Sequence, residues 1–265
     1  MGHKIRTLTA ALLVLSCLGI WGTVAKRNAQ AGQTLDLSNV MARDQIRACG
    51  FIAPKMILSL GSIVGSQDAS GNLSEGDLVY IKLEPGKQVK AGDRLAITRV
   101  VKEIEHPLTR VKLGYQVSFP GRAVILDGRG QIVPAKIEKS FHPIRYGDLV
   151  TALPSSSPSE VAVRMPDKVK GTVVAAAQEE ENISERGVVF IDRGSQDGVI
   201  MGDLFTVYQF PYYTDEALEK EPKLPLMKVG EGVVIYLEKE TSTLLLTHSS
   251  QSVYVGDTVV LGKGK

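Results

Sequence analysis

Cysteine is almost missing from this chain. Cys17 lies in an apolar N-terminal run, and Cys49 is the only other one. If that run is removed, no internal disulfide can form, and ordinary apolar packing must supply the core. An exported chain with one cysteine has either a buried, unreactive thiol or an intermolecular bridge, and the apolar stretch Gly50-Phe51-Ile52 beside Cys49 favours burial. The single tryptophan, Trp21, lies in the same N-terminal run. The rest of the chain therefore lacks the strongest aromatic platform for a sugar ring. Catalytic signatures are missing as well. There is no Gly-x-Ser-x-Gly elbow, no His-Glu-x-x-His pair and no phosphate loop. Gly128-Arg129-Gly130 has no third glycine at the required spacing and reads as a hairpin turn. His106, His142 and His248 have no second ligand at metal spacing. The acidic loops Asp68/Asn72/Glu75/Asp77 and Asp192/Asp197 do not alternate oxygen ligands as a calcium loop does. No catalytic, cofactor or metal residue is assigned, and the chain is not expected to be an enzyme.

What is present begins with the N-terminus. Lys4 and Arg6 precede an almost wholly apolar run from Leu8 to Val24, followed by the small-x-small site Ala29-Gln30-Ala31. That order predicts a secretory signal peptide over 1–31. Two other fates stay open. The run is marginal for spanning a bilayer, so it could serve as an uncleaved anchor. Val14-Leu15-Ser16-Cys17 also fits a loose lipobox, although Leu18 to Trp21 continue apolar. The expectation is an exported, periplasmic protein, with membrane contact only through a retained or lipidated N-terminal segment. Four of the 31 basic residues and none of the 29 acidic ones lie in 1–31, which leaves 27 against 29. That balance offers no basic patch for nucleic acid.

Beyond the leader the chain repeats. A shift of 110 residues aligns 61–97 with 171–207, and a shift of 109 aligns 121–151 with 230–260. Gly92-Asp93 meets Gly202-Asp203, and Gly147-Asp148 meets Gly256-Asp257. Each half is built from short Val/Ile/Leu/Tyr-rich runs bounded by Gly, Asp, Pro and Asn, the pattern of strands. Strands are expected near 59–65, 78–83, 94–101, 114–126, 131–139 and 149–153. In the second half they are expected near 170–177, 187–192, 203–209, 228–237, 241–248 and 257–261. The fold class is all-β: two tandem small β-barrel-like repeats after an N-terminal signal or anchor segment and a short helix. The segments are 1–31, a lead-in over 32–56 with a helix from Leu37 to Ala48, a first repeat over 57–153, a Pro/Ser-rich linker over 154–168, and a second repeat over 169–262. The Gly-Asp pairs read as turn chemistry, with glycine at positive φ and aspartate bonding its own backbone. The second half carries a longer connection, Phe210 to Met227. Its Tyr212 and Tyr213 are the candidate interaction residues, able to offer rings to a sugar or a peptide.

Several stretches resemble a known group. They are Gly50-Phe51-Ile52-Ala53-Pro54, Leu73 to Ile81, His106-Pro107-Leu108-Thr109 leading to Leu113-Gly114-Tyr115, and Val189 to Val199 leading to Gly202-Asp203-Leu204-Phe205. Over roughly 45–262 they are similar to the C-terminal region of LysM-containing, peptidoglycan-associated proteins of Gram-negative bacteria. The second repeat also resembles the C-terminal domain of the flagellar assembly protein T family. The resemblance implies a non-enzymatic structural or adaptor protein of the envelope. Its partners would be other envelope proteins, with peptidoglycan as the candidate glycan. No LysM module stands before this region, so glycan-gripping residues are not carried over. Direct glycan binding through Tyr212 and Tyr213 and, more remotely, an envelope hydrolase are the competing readings.

Overall fold

The computed structural model describes residues 34–36, 48–67, 72–153, 160–162, 169–178, 182–211 and 225–262. The leader, Tyr212 and Tyr213 lie outside these residues, as does the expected helix apart from Ala48. Among the described residues no helix is long and apolar enough to cross a membrane.

Two short strands come first, β1 (Thr34–Asp36) and β2 (Phe51–Ala53). The first repeat supplies β3 (Gly61–Ser66), β4 (Leu78–Leu83), β5 (Arg94–Glu105), β6 (Lys112–Ile125), β7 (Ile132–Ser140) and β8 (Leu149–Ala152). Next is β9 (Glu160–Ala162), inside the expected linker. The second repeat supplies β10 (Lys170–Ala176), β11 (Val188–Ile191), β12 (Leu204–Gln209), β13 (Met227–Leu237), β14 (Ser242–Ser249) and β15 (Thr258–Leu261). Within the segment 154–168 read as a linker, β9 pairs antiparallel with β1.

The second repeat is a closed six-stranded barrel in the order β10-β11-β14-β13-β12-β15. The first is a seven-stranded sheet, β2-β6-β5-β8-β3-β4-β7, in which an additional β6–β7 pairing joins six strands into a ring. Starting at β3 and at β10, the two cycles have the same order. Closure leaves those strands no free edge. The register matches too. Ile63 faces Ile81 as Val173 faces Ile191, and the same irregularity follows at Ile63/Gly65 and at Val173/Ala175. Arg94 to Ile97 face Val124 to Gly121 as Leu204 to Val207 face Val233 to Gly230.

Matched side chains fill the two interiors. Ile63, Val79, Ile81 and Ile97 are buried in the ring, and Val173, Val189, Ile191 and Val207 take their places in the barrel. Each such burial contributes roughly 1.5–3 kcal/mol. The turns are equally regular. In all five Gly-Asp pairs the glycine has φ between 86° and 102°. In each, the aspartate carboxylate accepts the backbone N–H three residues earlier, from Ser74, Lys90, Arg145, Ile200 and Tyr254. A sixth place, matching Gly76-Asp77, holds Arg186-Gly187, where Arg186 takes the positive φ of 69°.

Candidate functional site

The ring and the barrel are locked together by a three-stranded arm. The β5–β6 hairpin runs on past the ring, and β2 pairs with β6 at its far part, Phe51 facing Val117 and Ala53 facing Tyr115. Two glycines permit this close approach. A Cβ on Gly50 would lie 2.0 Å from the Val117 carbonyl oxygen, and one on Gly114 would lie 2.1 Å from that of Ala53. This explains the Gly50-Phe51-Ile52 and Leu113-Gly114-Tyr115 stretches: they seat one strand on another.

The arm covers the outside of the barrel. Ile52 and Ile104 form one apolar cluster with Val174, Ala175 and Phe190. Cys49 packs on Val188, Val233, Ile235 and Leu245. Burial pushes its thiol up to about 12, as expected for a desolvated thiol. Phe51 stacks on Phe119 and on Tyr236, with centroids 5.7 and 4.8 Å apart. The outer edge of β2 is not left bare. The Thr243 hydroxyl donates to the Gly50 carbonyl at 3.1 Å, and Thr241 reaches the Ile52 carbonyl at 3.4 Å. From β6, the Gln116 amide donates to the Ala176 and Ala177 carbonyls at 3.2 and 3.1 Å.

At the tip of the arm, buried His106 points at the barrel. Its Nδ1 accepts the backbone N–H groups of Leu108 and Thr109, both at 3.2 Å. That leaves Nε2 to carry the proton it donates to Asp192 Oδ2 at 3.1 Å. Asp192 also accepts from the Thr172 N–H at 2.6 Å and from Arg193 at 2.9 Å. Three donors thus hold the Asp192 carboxylate, one of them from the arm. His106 is a clasp between modules. His142 has its pKa lowered, first by burial and then by Arg99. His248 is exposed, 3.9 Å from Glu185.

The other residues singled out from sequence fall elsewhere. The carboxylates of Asp77 and Asp197 each take a backbone N–H in their own turn. Gly128 and Gly130 line an open cleft of about 400 Å³ with the 83–89 turn, whose only carboxylate is Glu84. Among the described residues no group of three or more His, Cys, Asp or Glu is placed to hold a metal. At the base of the Phe210–Met227 connection, Phe210 is 68% exposed. There the Gln209 amide donates to Ser252 O and to Asp257, both at 2.7 Å.

The face of the ring that matches the covered barrel face is open. Phe190, Val188, Thr243, Val233 and Ile235 correspond to Tyr80, Leu78, Pro134, Val124 and Leu126. Every residue of β11 is buried, because β11 is covered on both sides. In β4, by contrast, burial alternates, and Tyr80 is 42% exposed. Cross-strand pairing makes the patch continuous. Tyr80 faces both Gly65 on β3 and Pro134 on β7. Leu126 bonds to Pro134 through its N–H, and Ile132 faces Lys82. Val64, Leu126 and Ile132 are 46, 47 and 55% exposed. Sequence reading missed this site, because alternating apolar residues on a strand do not say which face is the covered one. No protein-family model matches the chain, and no curated protein matches it significantly.

Proposed function

We propose that this chain is a non-enzymatic structural or adaptor protein of the cell envelope, exported by its N-terminal segment and acting through protein–protein contacts. The observation that carries the reading is the open face of the ring around Tyr80, Leu126 and Ile132. Contiguous exposed apolar surface on a β module is the usual mark of a contact site. The remaining support is indirect. The two modules are fixed to each other by buried contacts and hydrogen bonds, as a spacer or scaffold requires. The leader pattern and the resemblance to envelope proteins supply the compartment.

A photo-cross-linking residue at Tyr80, in cells making the full chain, tests this directly. The expected result is a discrete cross-linked protein band in the periplasmic or membrane fraction, and none from a control position on the polar rim such as Lys87. Recovery of the chain in the cytoplasm, or no cross-link from either Tyr80 or Ile132, contradicts it.

A further inference from the structure

The joint between arm and barrel shows how one strand of this chain is read by the face beneath it. On the barrel, Ile104 lies in the apolar cluster of Phe190. Two residues on, His106 donates to Asp192, which stands two residues beyond Phe190. Side chains two apart on a strand share a face. An apolar-x-donor run on the arm therefore meets an apolar-x-acceptor run that starts on β11. The corresponding run on the ring is Tyr80-x-Lys82, with Tyr80 exposed and an exposed cation in place of Asp192. We propose that the β4–β7 face of the ring binds an extended segment of another envelope protein, in which carboxylates stand two residues to either side of a bulky apolar residue. This rests on the protein-contact reading above and names the chemistry of the partner.

Three observations select that occupant. The first is where the charges stand. Tyr80 faces Pro134, with Ile132 facing Lys82 on one side and Leu78 facing Lys136 on the other. The apolar row at Tyr80 is thus bounded by Lys82 and by Lys136, each about 7 Å along the strands, one same-face repeat. Arg94 and Arg122 extend the Lys136 side and share the Glu138 carboxylate at 2.9 and 2.7 Å. The other acid is Glu84, in the turn after β4. Lys82, Lys136, Arg94 and Arg122 match Asp192, Leu245, Leu204 and Glu231 of the barrel, none of them a cation. Basic character therefore belongs to the open face and not to its covered twin. Opposite charge on the partner fixes register and suppresses wrong partners. The second observation is a loss of hydroxyls. Thr243 and Thr241, which bond the Gly50 and Ile52 carbonyls on the barrel, are replaced by Pro134 and Ile132 on the ring. The ring face lacks those donors for a strand edge, so the occupant is held through its side chains. The third is closure. Strands β3, β4 and β7 are each paired on both sides, so a partner cannot add to them as an edge strand and lies across the face. The arm of a second copy does not match this face, because its His106 would bring a donor to Lys82, itself a donor.

The test is fluorescence anisotropy of labelled peptides titrated with the full chain, purified after export. Three peptides are built on Glu-Thr-Phe-Thr-Glu, Lys-Thr-Phe-Thr-Lys and Glu-Thr-Ser-Thr-Glu. The first is expected to bind at least about fivefold more tightly than either of the others. Its advantage over the lysine peptide should shrink in high salt. The double variant Lys82→Glu with Lys136→Glu should reverse the preference and take the lysine peptide over the glutamate one. Tyr80→Ser should bind the first peptide no better than the serine peptide. All three positions are exposed, so each variant should keep the wild-type circular dichroism spectrum. Equal binding of the three peptides overturns the proposal, as does a preference that survives the charge reversal. So does co-sedimentation with phosphatidylglycerol vesicles that the double variant loses, in the absence of any peptide preference; the face would then be a membrane contact. A protein cross-linked from Tyr80, with no peptide preference, removes this partner chemistry and leaves the protein-contact reading standing. No cross-link from either Tyr80 or Ile132 ends both.

Discussion

Arg99 and Gln209 occupy the same place in the two repeats, and they show how far the correspondence reaches. Arg99 donates to both oxygens of Asp148 at 2.7 Å and to the Pro143 carbonyl. Gln209 donates to Asp257 and to the Ser252 carbonyl. One geometry is thus kept with a cation in the ring and a neutral amide in the barrel. Burial raises the Asp257 pKa, and the Gln209 amide offsets that only in part. A carboxyl raised on folding penalises the native state wherever it is ionised. The penalty is absent below the unfolded value, about 3.9, sets in as pH rises past it, and is complete above the folded value. Gln209→Arg should therefore raise stability by about 1 kcal/mol at pH 7 and leave it unchanged at pH 3, read from urea midpoints. Cys49 gives a second test at this scale. With its thiol pushed up to about 12, alkylation by iodoacetamide should keep rising tenfold per unit from pH 7 to pH 10. A free thiol would level off near its ordinary value of about 8.5. A plateau near pH 9 would mean that Cys49 is not desolvated as described.

The element that matters most is the shortest in the joint. Strand β2 has three residues, too few for a hydrophobic pattern to announce, and sequence reading placed it in a lead-in over 32–56 for which only a helix was expected. Its place comes from two glycines that let backbones touch and from hydroxyls on a strand some 190 residues away in sequence. Thr243→Val keeps the shape of that contact and removes the donor to the Gly50 carbonyl. The expected cost is about 1–2 kcal/mol for a buried acceptor left unpaired, measured by denaturant unfolding. Phe51→Ala removes both aromatic contacts at once. It should cost roughly 2–4 kcal/mol and turn a single unfolding transition into two, as ring and barrel part. A single transition in that variant would show that β2 is not the element coupling them. The twelve main strands, by contrast, were legible to within a few residues at their ends, except that β5 runs on to Glu105. Val, Ile and Leu alternate there between Gly-Asp turns, and those turns are local chemistry that needs no tertiary context. Strand β9 was hidden by the serines and prolines around Glu160-Val161-Ala162.

At the scale of the whole molecule, the repeat offsets of 110 and 109 residues carry over into strand order, bulges and side-chain hydrogen bonds. What they could not convey is the difference between the modules. The β11 run Val188-Val189-Phe190-Ile191 is apolar on both faces, and the matching run Leu78-Val79-Tyr80-Ile81 is nearly so. One is covered and the other open, and only the path of the arm decides which. Tyr212 and Tyr213, the residues chosen from sequence, lie outside the described structure. The site argued from geometry is on the other module. The central claim is that the open face of the ring is occupied when the protein is at work. Hydroxyl-radical footprinting compares the full chain in its native envelope fraction with the same chain purified and dilute. The account predicts that labelling of Tyr80, Leu126 and Ile132 falls several-fold in the envelope sample, while exposed Leu58 and Leu108 are labelled equally in both. Equal labelling of Tyr80 in the two samples would contradict it.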